Sequence, residues 1–493
     1  MPSPQQDSVA GQVPPAPTPP VPSPAASNPV RHSPWEGLRG WKGLVALLAL
    51  GLSGLIWISG LQESLSRPSV VNALDLRQLE LTVLTAEALP PPLRPLLVGE
   101  DPRGALLEAL EKQNKAPSIP PPAERRLELT LLRQGQGDQS RAPKDPTLED
   151  LVSQVDAPRR PLLLALQRRA PVSASQQRAL VAPWGEESLV AQLGCEQLGG
   201  PAKSCPAQRL APWLILRFLA LTVLPVVLMV AGAILLARQL WLLWRGRLPS
   251  APPLISPPLS LVDATLVIAG GFVLLGEVLL PSLTQGSLLR LLSHWNLPGD
   301  SRQGIEVLGS YLTLMLAPLG ILAMFLAGHP NPPRGGWLQW GWRPPSSVFL
   351  PAVKGFLMVI PLVAIATWLL QLVWTDPGGS NPLLEMVLSS SNNLALLAFA
   401  LTAVVFAPLF EETLFRGVLL PVLGRHMGAI PAVGISALLF ALAHLSLGEL
   451  VPLSVLGVGL GLLRWQSGRL GASVCLHALW NSLTFLNLLL LAR

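Results

Sequence analysis

Cysteine is almost missing from this sequence: three residues in 493, Cys195, Cys205 and Cys475, with no Cys-x-x-Cys pair. That excludes a structural zinc cluster and a disulfide-dense scaffold. Charge is scarce as well, at 13% against 50% hydrophobic residues. The net charge of +6 is modest, and no block of Lys and Arg interleaved with aromatics occurs, so nucleic acid is not an expected partner. The His-Glu-x-x-His pattern of zinc proteases and the Gly-x-Ser-x-Gly nucleophile elbow are both missing. Ser436 and Ser473, although on apolar helices, therefore lack the setting of a nucleophilic serine.

Long apolar runs are what the sequence has in quantity. They fall at Gly43 to Leu61, then near residues 213–236, 261–283, 304–326, 348–374, 393–423, 429–447, 450–463 and 470–491. Runs of this length cross a bilayer as helices, which implies an all-α polytopic membrane protein with about nine transmembrane helices and the lipid bilayer as its first partner. Residues 1–38, rich in Pro, Ser, Ala and Gln, cannot bury enough surface to order themselves and are expected to form a disordered tail. The first run is too long for a signal-peptide core and follows that tail, so it is expected to be retained.

Residues 67–209 have ordinary soluble composition, with proline breaks at Pro90-Pro91-Pro92 and Pro120-Pro121-Pro122. Two of its segments echo each other, 76–84 and 125–132, both containing Leu-Glu-Leu-Thr, and each suits either an alternating strand or a short helix. The expectation is a small extramembrane α+β domain between helices 1 and 2, with a partner of its own possible. Residues 213–346 then supply accessory helices and 348–493 a separate core.

Basic residues set the orientation. Arg238, Arg245 and Arg247, then Arg334, Arg343 and Lys354, then Arg425, then Arg464 and Arg469 fall on the side of the N-terminus, whereas the loop 375–392 opposite has neither Lys nor Arg. By the positive-inside rule the N-terminus is cytoplasmic and the 67–209 domain is outside, in a layout that fits a bacterial plasma membrane. Cys195 and Cys205, close together in that outer region, are then candidates for a disulfide.

Within the run 393–423 stand Glu411, Glu412 and Arg416. A charge at a membrane helix centre costs roughly 2.5–3.5 kcal/mol on insertion scales, so such groups persist as pairs, in wet cavities or as working residues. On a helix Glu412 and Arg416 are i and i+4 with the carboxylate first, the favourable ion-pair order. Glu411 is rotated about 100° away and left as a free carboxylate, suited to act as a general base.

Two of six histidines also lie in apolar helices: His444, after Phe440, and His477, with Asn481 one turn later on the same face. The others, His32, His294, His329 and His426, sit in the tail or in polar connections and turns. Counting from the turn near His426 puts Glu411 and His444 at similar depth, whereas His477 needs helix tilt or a dipping loop to reach them. Asp263, Glu277, Arg217 and Lys354 lie in or at the ends of spans and read as snorkelling or helix-end groups. Cys475 reads as packing.

The three elements Glu-Glu-x-x-x-Arg, Phe-x-x-x-His and His-x-x-x-Asn, in this order on successive apolar helices, resemble the CPBP family of intramembrane proteases. That family includes the type II CAAX prenyl endopeptidases and bacterial Abi self-immunity proteins, and the likeness covers roughly residues 350–493. It implies peptide-bond hydrolysis in a helical cavity, on a membrane-associated peptide or protein. Glu411 would activate water, His444 would help hold it, and His477 and Asn481 would stabilise the oxyanion. Glu412 and Arg416 would support the framework, with Thr413, Phe415 and Gly417 as packing.

Two chemistries stay open. Glu411, His444 and His477 could in principle hold zinc, but Glu411 would then no longer be a base, which favours a mechanism requiring no cofactor. A non-catalytic scaffold or immunity factor of the same fold, and a proton-coupled transporter, are the competing functions. Nothing in the sequence points to a prenylated substrate.

Overall fold

In a computed structural model of the chain, the described residues are 40–67, 70–86, 88–115, 123–135, 148–168, 172–185, 188–199, 212–295, 297–374, 379 and 382–492. The expected disordered tail and Cys205, the expected partner of Cys195, lie outside them. Eight helices among the described residues are long and apolar enough to cross a membrane. They are α1 (Trp41–Ser64), α2 (Pro212–Trp244), α3 (Leu261–Ser293), α4 (Gly299–Ala327), α5 (Ser346–Val373) and α6 (Asn393–Met427), and, after a shorter α7 (Ala429–Leu442), α8 (Leu447–Ser467) and α9 (Leu470–Ala492). The chain is an all-α, multi-pass integral membrane protein.

The expected ninth span is corrected to a shorter element. The apolar run 429–447 yields only the 14 residues of α7, roughly 21 Å at 1.5 Å per residue, against a hydrocarbon core of about 30 Å. The break comes at Leu445, whose φ of 50° is left-handed and costly for a leucine. Non-helical backbone inside a membrane must find partners within the protein. Here Arg67 donates to the Leu445 carbonyl (3.2 Å), the Leu447 N–H donates to Ser64 Oγ (3.2 Å), and Ser446 Oγ donates to the Gly379 carbonyl (2.8 Å). The end of α1 thus fastens the turn that follows His444.

Small residues let the spans approach. A Cβ on Gly232 of α2 would meet the Leu357 carbonyl of α5 at 2.0 Å, and one on Gly457 of α8 would meet the Ala437 backbone of α7 at 2.9 Å. Such contacts are how helices gain packing energy where lipid removes the hydrophobic drive. Ion pairs trim the ends: Asp263 forms a capping box with Ser260 and meets Lys42 at 3.4 Å. Arg464, one of the basic residues on which the expected orientation rests, is nonetheless 1% exposed.

The extramembrane domain is corrected from α+β to helical: no strand occurs among its described residues. Both echoing segments are helices, Val70–Ala86 and Ala123–Gly135. Their glutamates, Glu80 and Glu128, are 6% and 7% exposed and both pair with Arg125. The domain's leucine-rich core runs on into Leu214, Phe218 and Leu221 of α2 and Leu491 of α9, so it stands on those two spans. A cavity of about 550 Å³ lies at this junction, lined among others by Glu80, Glu128, Trp184 and Arg217.

Burial pushes the Glu128 carboxyl up to about 7, against the opposing pull of Arg125 and Arg77. A carboxyl raised in the folded state binds its proton more tightly there than in the unfolded chain, so its contribution to stability falls as pH rises from about 4.5 through 7. Glu128→Gln is expected to abolish that slope and to raise stability at pH 8 by on the order of 1–3 kcal/mol. Thermal unfolding of the full-length protein in detergent at pH 5.5 and 8 measures it. Parallel pH dependences for the two proteins would refute it.

Candidate functional site

Glu411 and Glu412 occupy a six-residue α-helical piece of α6, Ala407–Glu412, between two π-helical stretches, Leu401–Phe406 and Thr413–Leu419. Such stretches recur at functional sites because each displaces the hydrogen-bond ladder by one residue. Pro408 explains the first. In the π register the carbonyl of Ala403 would look to residue 408, which has no N–H. Asn481 of α9 supplies the donor instead, Nδ2 to the Ala403 carbonyl at 2.7 Å. One Nδ2 hydrogen of Asn481 is used in this way and one remains.

Glu412 is fully buried and doubly engaged. Its Oε1 accepts from Arg416 Nη1 at 2.9 Å and lies 3.0 Å from His477 Nδ1. Arg416, also fully buried, sends Nη2 to the Gly457 carbonyl at 2.9 Å and lies over the Phe440 ring at 4.4 Å. A carboxylate facing Nδ1 assigns the ring hydrogen to that nitrogen and leaves Nε2 directed elsewhere. It is directed at Glu411, with Nε2 3.9 Å from Oε2.

Glu411 is placed differently from its neighbour. Its other oxygen, Oε1, accepts from the hydroxyl of Tyr311 on α4 at 3.1 Å. Oε2 is buried with no hydrogen-bond partner. Two adjacent carboxylates therefore have separate surroundings, one locked between a guanidinium and an imidazole, the other held by a phenol through one oxygen and left without a hydrogen bond at the other.

His444 lies at the end of α7, its Nδ1 2.8 Å from the Phe440 carbonyl, an arrangement that leaves Nε2 unclaimed. Phe440 is the hub: its ring centroid is 4.8 Å from His444 and 5.6 Å from His477, beneath the Arg416 guanidinium. Phe415 packs edge-on against it at 5.6 Å, Thr413 bonds the Leu409 carbonyl, and a Cβ on Gly417 would lie 3.3 Å from Leu338 and Leu470. Ser436 and Ser473 are buried and donate to the carbonyls of Phe415 and Leu460. His477 reaches this level because α9 begins inside the protein: the N–H groups of Leu470 and Gly471 bond the carbonyls of Gln339 and Trp340 in the connection between α4 and α5.

Among the described residues no three His, Cys, Asp or Glu side chains are grouped to hold a metal ion. The bonds made by the residues considered for zinc occupy Nδ1 of each histidine and Oε1 of Glu411, leaving both Nε2 atoms and Glu411 Oε2 unclaimed. His477 Nδ1 faces Glu412 and His444 Nδ1 faces a backbone carbonyl, while Glu411 lies between Tyr311 and His477.

Tyr311 is the residue that sequence reasoning missed. It is the chain's single tyrosine, on an accessory span with no recognisable motif. Glu277 of α3, taken from the sequence for a peripheral charge, is half-buried instead, with its Oε2 atom out of solvent and without a hydrogen-bond partner.

Residues 393–483 match the family described as Type II CAAX prenyl endopeptidase Rce1-like. The likeness to CAAX-type membrane proteases holds for this core. All of Glu411, Glu412, Arg416, Phe440, His444, His477 and Asn481 fall within the matched segment, and Tyr311 falls outside it. Residues 71–216 match a Domain of unknown function (DUF8675). No curated protein and no solved structure matches the chain. The Rce1-like core therefore has a protease-type fold, joined here to a helical domain that matches a family of unknown function.

Proposed function

We propose that the protein is a membrane-embedded endopeptidase that hydrolyses a peptide bond in a membrane-associated peptide or protein, with Glu411 as general base. The observation that supports this most is the division of labour between the two glutamates. Glu412 is consumed by Arg416 and His477, whereas Glu411 keeps one unpartnered oxygen 3.9 Å from His477 Nε2. That gap is too long for a direct bond and suits a water about 2.8 Å from each atom. Glu411 Oε2 takes a proton from this water as its oxygen attacks the carbonyl carbon. The oxyanion is met by the remaining Asn481 hydrogen, since the ring hydrogen of His477 is taken by Glu412 and its Nε2 serves to accept from the water, and Glu411 returns the proton to the departing amine.

Substrate reaches the site from the face that carries the outer domain. The turn after His444 is fastened to Ser64 and Arg67, where α1 leads into that domain. With the basic residues on the opposite face, this is the extracytoplasmic side of a bacterial plasma membrane, the N-terminus lying inside. A prenylated cytoplasmic C-terminus is not the substrate expected there, and the outer domain is the natural place for a partner to dock.

Comparative membrane proteomics of cells holding wild-type or Glu411→Gln protein tests the reading. A shortened membrane peptide is expected only with the wild type, its new end facing the outer domain. An identical peptide inventory in both would leave the scaffold reading in its place. The mechanism requires no cofactor, so cleavage of the identified peptide is expected to persist in strong chelator; its loss, restored by zinc, would establish the metal alternative.

A further inference from the structure

We propose that Tyr311 is a positioning residue for Glu411, supplied by a span outside the family-matched core, and that it fixes which carboxylate oxygen serves as the base. The inference rests on the reading of Glu411 as general base. The phenol is held rigidly. Its ring stands edge-on to Phe410 at 6.1 Å, and Phe410 stands edge-on to Phe272 of α3 at 5.7 Å, so three spans clamp its direction. The hydroxyl donates to Glu411 Oε1 at 3.1 Å.

A carboxylate on a three-bond tether rotates freely unless one oxygen is held. With Oε1 taken, rotation stops with Oε2 facing His477, where the attacking water must sit. Without the hydroxyl, either oxygen could turn to the imidazole, and the water would lose its fixed acceptor. The charged groups around this contact are Glu277, which faces Tyr311 from α3, and Glu412, Arg416 and His477, which surround Glu411. The core's motifs are thus completed by an element they do not contain.

Because the chain has one tyrosine, uniform incorporation of 3-fluorotyrosine gives one fluorine resonance from the full-length protein. That resonance is expected to shift with pH in the wild type, and to move and lose the pH dependence in Glu411→Ala. Identical spectra would overturn the contact, whatever the protein's activity. Tyr311→Phe keeps the ring packing and is expected to lower kcat by about 10-fold to 100-fold, with KM little changed and the acid limb of the pH profile displaced. The substrate is the peptide whose cleavage depends on Glu411. A Tyr311→Phe enzyme with wild-type kcat and pH profile would overturn the positioning role even if the fluorine spectra confirm the contact. Absence of any Glu411-dependent peptide would instead overturn the protease reading and this role with it, leaving the contact to be judged by the spectra.

Discussion

Arg416→Ala is expected to cost about 3–5 kcal/mol of stability and to strip most folded protein from the membrane, because it removes one partner from a buried pair and strands the other. The guanidinium is fully buried and joins three elements: Glu412 on its own helix, the Gly457 carbonyl of α8 and the Phe440 ring of α7. Gly457 makes the second contact possible, since any side chain there would press on the Ala437 backbone. Lysine is a poor substitute. One ammonium cannot fork to a carboxylate and a carbonyl in separate directions while lying flat on an aromatic ring. Arg416→Lys should therefore fall between alanine and wild type. Replacing Glu412 and Arg416 together by leucine is expected to recover much of the stability, because two apolar side chains can fill the site without an unpaired charge, but none of the activity. Thermal unfolding in detergent, with membrane abundance beside it, decides the order. An Arg416→Ala protein as stable as wild type would show that the pair carries no structural role.

The elements legible in the sequence were those whose information is local. Glu412 and Arg416 pair because i and i+4 meet on any helix, and the spans follow from unbroken apolar length. The short α7 was not legible: the sequence around Leu445 has neither proline nor an adjacent glycine to mark a break, and the turn is held by Ser64 and Arg67, nearly four hundred positions away. The strand-or-helix ambiguity of the Leu-Glu-Leu-Thr segments had the same root. Helix wins because it turns Glu80 and Glu128 onto one arginine, a condition that only the assembled domain contains. Asn481 looked like a donor for the oxyanion alone, yet its partner is a carbonyl freed by Pro408 on another span. Tyr311 carries no pattern at all, and its place becomes visible only once α4 is set beside α6.

Glu411→Gln and Glu412→Gln make the same chemical change at adjacent positions and are expected to have opposite consequences. The Glu411 amide still offers an oxygen to Tyr311 and fills the same volume, so the fold should survive within about 1 kcal/mol. It cannot accept a proton, and hydrolysis should fall by roughly 10²–10⁴-fold or more, the range of a lost general base. Glu412→Gln removes the negative charge between Arg416 and His477, both buried, and leaves the guanidinium without its counter-ion. Stability should drop by several kcal/mol, and the imidazole loses the group that orients it. The pH profile separates a base from a mere neighbour. Glu411 must be ionised to work, so wild-type kcat/KM should fall on acidification, and the residual activity of Glu411→Gln should lack that limb. If instead Glu412→Gln were stable and inactive while Glu411→Gln were unfolded, the two roles would have to be exchanged. The geometry argues against that exchange, since the oxygen left without a hydrogen bond beside His477 belongs to Glu411.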